Sequence, residues 1–307
     1  VPVDGEGEPP DSVPTQSMGT RTVKVPQPEG QFITGTPITN PRHFFGRGRV
    51  LRRLFSLLKI HPLQNAAIVG QRRSGKTSLL NYLSTISTAK AADLRPGQKS
   101  DWLTNSKRYR WIFTDFQDTR LHSREGLLQH WLRAMNFRVP PDCTLEAFMD
   151  IVSNQIHQPT VVLMDEIGVG LSRCPELDDN FWESIRSWAT TRANGNLGFV
   201  MATPEQPIHL ARHNGHSSPF FNIFGYTATP KPLTEPEARE LIASAPLPFA
   251  EADVVWILHH SGGWPILLQI LCRERLFALQ DGDTSDDWKD DGLEQIQPFA
   301  YLLSDMP

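Results

Sequence analysis

The run IVGQRRSGKTSLLNYL, residues 68–83, limits this chain's possible folds more than any other stretch. An apolar strand, a glycine, four variable positions and then Gly-Lys-Thr lead into a leucine-rich helix, so Gly70, Gly75, Lys76 and Thr77 satisfy the spacing G-x-x-x-x-G-K-[ST]. Glycines let the backbone curl until successive N–H groups point inward, and the helix N-terminus adds the positive end of its dipole. Arg73, Ser74 and Ser78 lie in or beside this loop and belong to the same expected phosphate cradle. Lys76 is expected to reach the β- and γ-phosphates of a nucleotide, and the Thr77 hydroxyl to ligate Mg²⁺. The expected cofactors are therefore a nucleoside triphosphate and Mg²⁺.

A loop of this kind needs an acid for the metal, and VVLMDE supplies one 89 residues after Lys76. An apolar strand that ends in Asp places its carboxylate at the C-terminal edge of a sheet, where ligands bind in open α/β folds. Asp165 is expected to hold the Mg²⁺ shell. Glu166 is expected to polarise the attacking water. Thr203, ending the strand FVMAT, is a third catalytic candidate facing the γ-phosphate, or else a strand-terminal residue in the turn before Pro204. Asp115 and Gln117 end another strand and are weaker candidates.

The strands alternate with helical segments and are almost wholly apolar, which predicts a parallel sheet covered by helices on both faces. Residues 1–40 hold seven Pro and five Gly without sustained apolar periodicity and read as a flexible arm or linker. Residues 41–231 carry the α/β core. After Pro232 only helices are expected: 232–280 forms a small helical bundle whose first helix opens with a Thr234–Glu237 capping box, and 281–307 is an acidic linker with a last packed element. Cys143, Cys174 and Cys272 show no metal-like spacing and read as reduced thiols of a cytoplasmic protein. No apolar run approaches the length of a membrane helix and no secretory signal is visible. The first residue is Val, so the sequence is expected to be trimmed or part of a longer chain.

The net charge of −4 is unevenly distributed: residues 30–92 contain ten Lys or Arg and no Asp or Glu. The arginines of the 42–53 segment could meet nucleic acid or an acidic partner, or form a solvated helix face.

The FFGRGRVLRRLFSLL run resembles the Gly-Arg motif that precedes the phosphate loop in AAA+ ATPases, particularly their STAND branch and related archaeal-type ATPases. VVLMDE resembles the Walker B motif of that group, and SGGWPILLQILCRE resembles the Gly-x-Pro element of the STAND lid. The resemblance covers about residues 40–280. It implies that Phe45, Gly46 and Arg47 line the adenine side and that Pro265 closes it. It also implies a parallel-sheet P-loop core with a helical lid, and an ATP-binding switch that couples nucleotide state to self-association or to a partner protein. The alternative is a DNA-associated AAA+ ATPase, resembling origin initiators or transposition regulators, with the basic 42–53 segment on the phosphate backbone. The chain departs from the motor pattern in having Gly-Trp-Pro where many motors have Gly-Ala-Arg, and no arginine in SSPFFNIFGYTATPKPL. Arg186 and Arg192 are possible trans-acting groups. An arginine finger is worth about 10³–10⁵ in rate, so slow hydrolysis is expected.

Overall fold

A computed structural model describes residues 32–304. Most of the expected flexible arm, residues 1–31, lies outside the described residues, as do the last three positions. Five parallel strands, β1 (Ala66–Val69), β2 (Arg110–Asp115), β3 (Thr160–Asp165), β4 (Leu197–Thr203) and β5 (Tyr226–Ala228), form one sheet in the order β2-β3-β4-β1-β5. The phosphate-loop strand β1 thus lies beside β4, and Asp115 pairs in register with Asp165 at the same sheet edge.

The strands are apolar on both faces because both faces are covered. Val161, Leu163, Val200 and Ile68 face one core with α1 (Gly48–Lys59) and α2 (Lys76–Thr85). Val162, Met164, Phe199 and Met201 face another, formed with α3 (Arg124–Ala134), α4 (Leu145–Gln155), α5 (Ile167–Arg173), α6 (Asp179–Ser187) and α7 (Pro207–His213). The period of two along each strand delivers alternate side chains to opposite cores. Trp131, Trp182 and Trp188 fill the second core and are fully buried.

The lid comprises α8 (Glu235–Ile242), α9 (Glu251–Ser261) and α10 (Pro265–Gln280), and the expected capping box is present, with the Thr234 N–H donating to Glu237 Oε2 at 3.0 Å. Gly262 and Gly263 take positive φ, 53° and 76°, and break the chain between α9 and α10. The lid core continues past residue 280: α11 (Asp287–Ile296) buries Trp288 and Ile296 there, and α12 (Tyr301–Ser304) adds Leu302. Of the acidic residues that made this tail look like a linker, Asp287, Asp290 and Asp291 lie exposed on α11, while Asp281, Asp283 and Asp286 precede it. The end of the expected arm also differs from expectation, since residues 32–40 pack against the folded body. Ile38 is buried, its N–H donates to Ser78 Oγ at 3.0 Å, and its carbonyl accepts from Asn81 Nδ2 at 3.1 Å.

Candidate nucleotide site

The turn after β1 is held open for a ligand by its own backbone. Gly70 N–H donates to the Thr203 carbonyl at 3.1 Å, so neighbouring β4 anchors the start of the loop. Arg73 (φ 62°) and Gly75 (φ 92°) then take left-handed conformations, turning the chain into α2. Lys76 leads α2 and is buried. Its ammonium donates to the carbonyls of Gly70 and Gln71 at 2.8 and 2.9 Å. Burial lowers the Lys76 pKa, the carboxylates of Glu166 and Asp165 oppose that shift, and Arg72 adds to it.

Asp165 ends β3 and is also buried; burial raises its pKa, while a hydrogen bond from Thr77 works against the rise. The expected metal pair, Thr77 and Asp165, is therefore in direct contact. Glu166 follows with φ 51°, a left-handed conformation that few residues other than glycine adopt, and its N–H donates to Asp165 Oδ1 at 3.1 Å. Both carboxylates border one cleft of about 620 Å³, together with Lys76, Thr77, Ser78, Arg72, Arg73, Asp115 and Gln117. That volume suits a nucleotide-sized ligand. The donor set suits Mg²⁺: one hydroxyl and one carboxylate leave most of an octahedron to phosphate oxygens and water. Among the described residues no cluster of three or more acidic, His or Cys side chains would hold a metal alone. The Ser74 hydroxyl, buried at the loop without a protein partner, is a further polar group at the cradle.

The other end of the cleft is built by the Gly-Arg motif and the lid. Phe45, Arg47 and Pro265 line it, joined by Leu233, Leu241 and Gln269. Arg47 is 9% exposed and caps α1 in a left-handed conformation, φ 63°. Its guanidinium donates to the Ser74 carbonyl at 3.1 Å and so spans from base end to phosphate loop. Burial pulls its pKa down to about 10, with Glu237 of α8 acting in the opposite direction, so it remains a cation at neutral pH. Gly46 does not line the cleft but backs it, pressed against Leu233 and Glu237.

Thr203 lies elsewhere than expected. It is fully buried and absent from the cleft, and its hydroxyl donates to the Glu205 carbonyl at 2.5 Å. The turn-forming alternative describes that hydroxyl, and the residue meets the phosphate loop only through its backbone carbonyl. Arg186 and Arg192 are exposed and do not line the cleft.

Two sets of residues escaped the sequence reading. Residues 33–38 form a strap across the cleft: Ile33 N–H donates to Gln269 Oε1 at 2.6 Å, Arg273 donates to Thr34 Oγ1 at 2.8 Å, and Arg73 donates to the Gly35 carbonyl at 3.3 Å. From the other end of the chain, the Tyr301 hydroxyl donates to the Arg72 carbonyl at 3.2 Å and the Arg73 guanidinium sits 5.8 Å from the Phe299 ring centre. The second miss is Arg95, in a stretch that reads only as polar loop. It donates to the carbonyls of Arg42 and Phe44, lies 4.0 Å over the Phe45 ring, and pairs with Glu240 of α8 at 3.1 Å. It clasps core to lid. Neither the strap nor Arg95 carries a local signal, since each is defined by partners far away in sequence.

No family model matches the sequence, and no curated protein matches it. Solved structures do. The chain is similar to the Walker-type ATPase of Pyrococcus abyssi (TM-score 0.58, 17% identity, covering 88% of this chain and 77% of that one). It is similar to the ORC2 protein of Aeropyrum pernix (TM-score 0.56, 12% identity, 87% and 71%). It is also similar to domain III of the replication initiation protein DnaA from Thermotoga maritima (TM-score 0.51, 13% identity, 86% and 98%). At these identities the likeness establishes architecture: the chain has the P-loop AAA+ fold, a five-stranded parallel sheet flanked by helices.

Proposed function

We propose that this protein is an ATP-binding and slowly hydrolysing switch of the STAND/AAA+ type, which passes its nucleotide state to self-association or to a partner protein. The observation that carries this reading is a single cleft bordered at once by the phosphate loop, the Asp165–Glu166 pair and the lid residue Pro265. In this reading Lys76, Gly75 and Ser78 hold the phosphates, while Phe45, Arg47 and Pro265 enclose the adenine. Thr77 and Asp165 would hold Mg²⁺, which would supply charge neutralisation to the phosphates. Glu166 takes a proton from water as that water attacks the γ-phosphorus; the bond to the bridging oxygen breaks, giving ADP and phosphate. The lid is joined to the core through Arg95–Glu240 and through Gly46 against α8, so a ligand touching both sides favours the closed arrangement by its differential affinity for the two states.

The exposed cleft-lining position of Arg72 does not alter the expectation of slow turnover, because neither Arg186 nor Arg192 reaches the site within one chain. A DNA-associated ATPase is the second reading; the observation favouring it is a row of exposed arginines on α1. The test of the switch is ATP binding by calorimetry, with compactness and oligomer size measured alongside with and without a non-hydrolysable analogue. Binding with a nucleotide-dependent change in either property supports it. Wild-type affinity in Lys76→Ala would remove the phosphate-loop assignment, and binding without any change in shape or assembly would remove the switch.

A further inference from the structure

We infer that Gln269 reads the base of the bound nucleotide, a role that rests on the nucleotide reading above. Its amide N–H donates to the ring nitrogen N1 of adenine, and the cleft thereby rejects guanine.

The amide of Gln269 has one orientation. A backbone N–H can only donate, so the atom that receives the Ile33 N–H at 2.6 Å is the carbonyl oxygen Oε1. The nitrogen Nε2 is the opposite pole of the same planar group. Among the described residues Nε2 has no partner, and Gln269 is a half-buried residue of the cleft wall. Pro265, Gln269 and Arg273 follow one another at a spacing of four along α10 and so share one face. Pro265 lines the cleft beside Gln269, and Arg273 donates to Thr34 Oγ1 at 2.8 Å. Helix and strap together hold the side chain, and the unpaired pole that remains is a donor.

The two purines differ in what they offer a donor. Adenine has a bare N1, which accepts. Guanine carries N1–H and the adjacent 2-amino group, both of which donate. N3 and N7 accept in both purines, so a donor aimed at either would not tell them apart. A donor facing N1 bonds adenine and opposes guanine. Recognition of guanine's paired donors calls for a carboxylate. Outside the phosphate loop and the ends of β2 and β3, the polar side chains lining the cleft are Thr34, Thr36, His43, Arg47 and Gln269. None of these is a carboxylate. Guanine would set two donors against a wall that presents the Gln269 amide and the Arg47 cation, and burying a donor unpaired weakens binding.

The experiment is calorimetric titration of the full chain, with Mg²⁺ present, by ATP, GTP, 1-deaza-ATP and 7-deaza-ATP. ATP is expected to bind about tenfold or more tighter than GTP. Replacing N1 by C–H in 1-deaza-ATP should cost about fivefold or more, while 7-deaza-ATP binds as ATP does. Gln269→Glu keeps an oxygen for the Ile33 N–H and turns the donor into an acceptor. Its added charge weakens both nucleotides alike, so the ratio is the readout. The ATP-over-GTP preference should fall by about tenfold or more, a change that a purely structural role would not produce. Gln269→Leu removes both poles and is expected to lose hydrogen-exchange protection of the Ile33 amide in the ATP-bound protein, which Gln269→Glu retains. Four results overturn the proposal: equal affinity of the wild type for ATP and GTP, 1-deaza-ATP binding as ATP does, an unchanged preference in Gln269→Glu, or unchanged Ile33 protection in Gln269→Leu. The deaza analogues make the test on the wild-type protein, whatever the variants do to the fold. Equal binding of ATP and GTP leaves the phosphate-loop assignment standing, whereas binding of neither removes the nucleotide reading and base recognition with it.

Discussion

Gly46 and Gly48 sit two residues apart, yet substitution by alanine is expected to have opposite effects. Gly46 has φ +67°, and a Cβ there would lie 2.7 Å from Leu233 Cδ2 and 2.8 Å from Glu237 Cδ. Placing alanine in the left-handed region costs about 1–2 kcal/mol. Relieving the contact pushes Glu237 off the Thr234 N–H, which removes a capping interaction worth about 1 kcal/mol. The sum is ~2–3 kcal/mol of destabilisation for Gly46→Ala, concentrated at the junction of core and lid. Leu233 walls the cleft, so its displacement is expected to weaken nucleotide binding about three- to tenfold, or ~1 kcal/mol. Gly48, in contrast, begins α1 with no heavy atom within 4 Å of an added Cβ. Gly48→Ala is expected to stabilise by about 0.4–1 kcal/mol through the unfolded chain. Urea titration followed by tryptophan fluorescence measures both, with calorimetry for the nucleotide. Effects of the same sign, or a Gly46→Ala protein within ~0.5 kcal/mol of wild type, would refute the idea that the Gly-Arg motif is the seat of the lid.

Asp165→Asn is expected to abolish Mg²⁺-dependent tightening of nucleotide binding while raising the apo melting temperature by roughly 2 °C, or ~1 kcal/mol. The sign follows from burial: the Asp165 pKa is raised, so its ionised form costs stability above the folded pKa, and wild type recovers that cost as pH falls toward the ordinary carboxylate range. Thermal melts of the two proteins should therefore draw together as the pH is lowered from neutral toward the ordinary carboxylate range. Glu166→Gln is expected to keep ATP and Mg²⁺ binding and lose at least ~100-fold in hydrolysis; equal phosphate release would place the base elsewhere. Pro265→Ala, at the first position of α10, should leave apo stability within ~0.5 kcal/mol, weaken nucleotide binding modestly and blunt nucleotide-dependent protease protection of residues 232–280. Unchanged affinity and protection would leave Pro265 as a helix cap alone.

The phosphate loop and the Asp165–Glu166 pair were legible because their chemistry is local: loop curvature, helix start and strand end are all set within a few residues. The core strands were legible because both faces are buried, making each a continuous apolar run. Strand β5 was not, since Tyr226–Ala228 is three residues long and takes its place from pairing with Ala66–Ile68. The short helices α5 and α7 likewise owe their form to packing more than to periodicity. Gly-rich composition hid the strap at residues 33–38, whose order comes from Gln269, Arg273 and Ser78. The Thr203 hydroxyl shows the converse limit: a strand-end position was read correctly, but a two-residue backbone turn decided where the hydroxyl went.

The strap and the Tyr301 contact have a consequence for the order in which this molecule assembles. The bonds that complete the cleft join residues 236, 239 and 229 positions apart, among the longest separations bridged by the described residues. Loop-closure entropy makes such contacts late on the folding route and early to open again. The sheet and its two covering layers can form first, leaving the nucleotide cleft as the final closure. A bound nucleotide then acts on the least stable seam of the protein, contributing RT ln(1 + [L]/Kd) where the native state is otherwise weakest. In hydrogen exchange, the Ile33 and Ile38 amides should open well below the global unfolding free energy, and they should gain the largest protection when ATP is added.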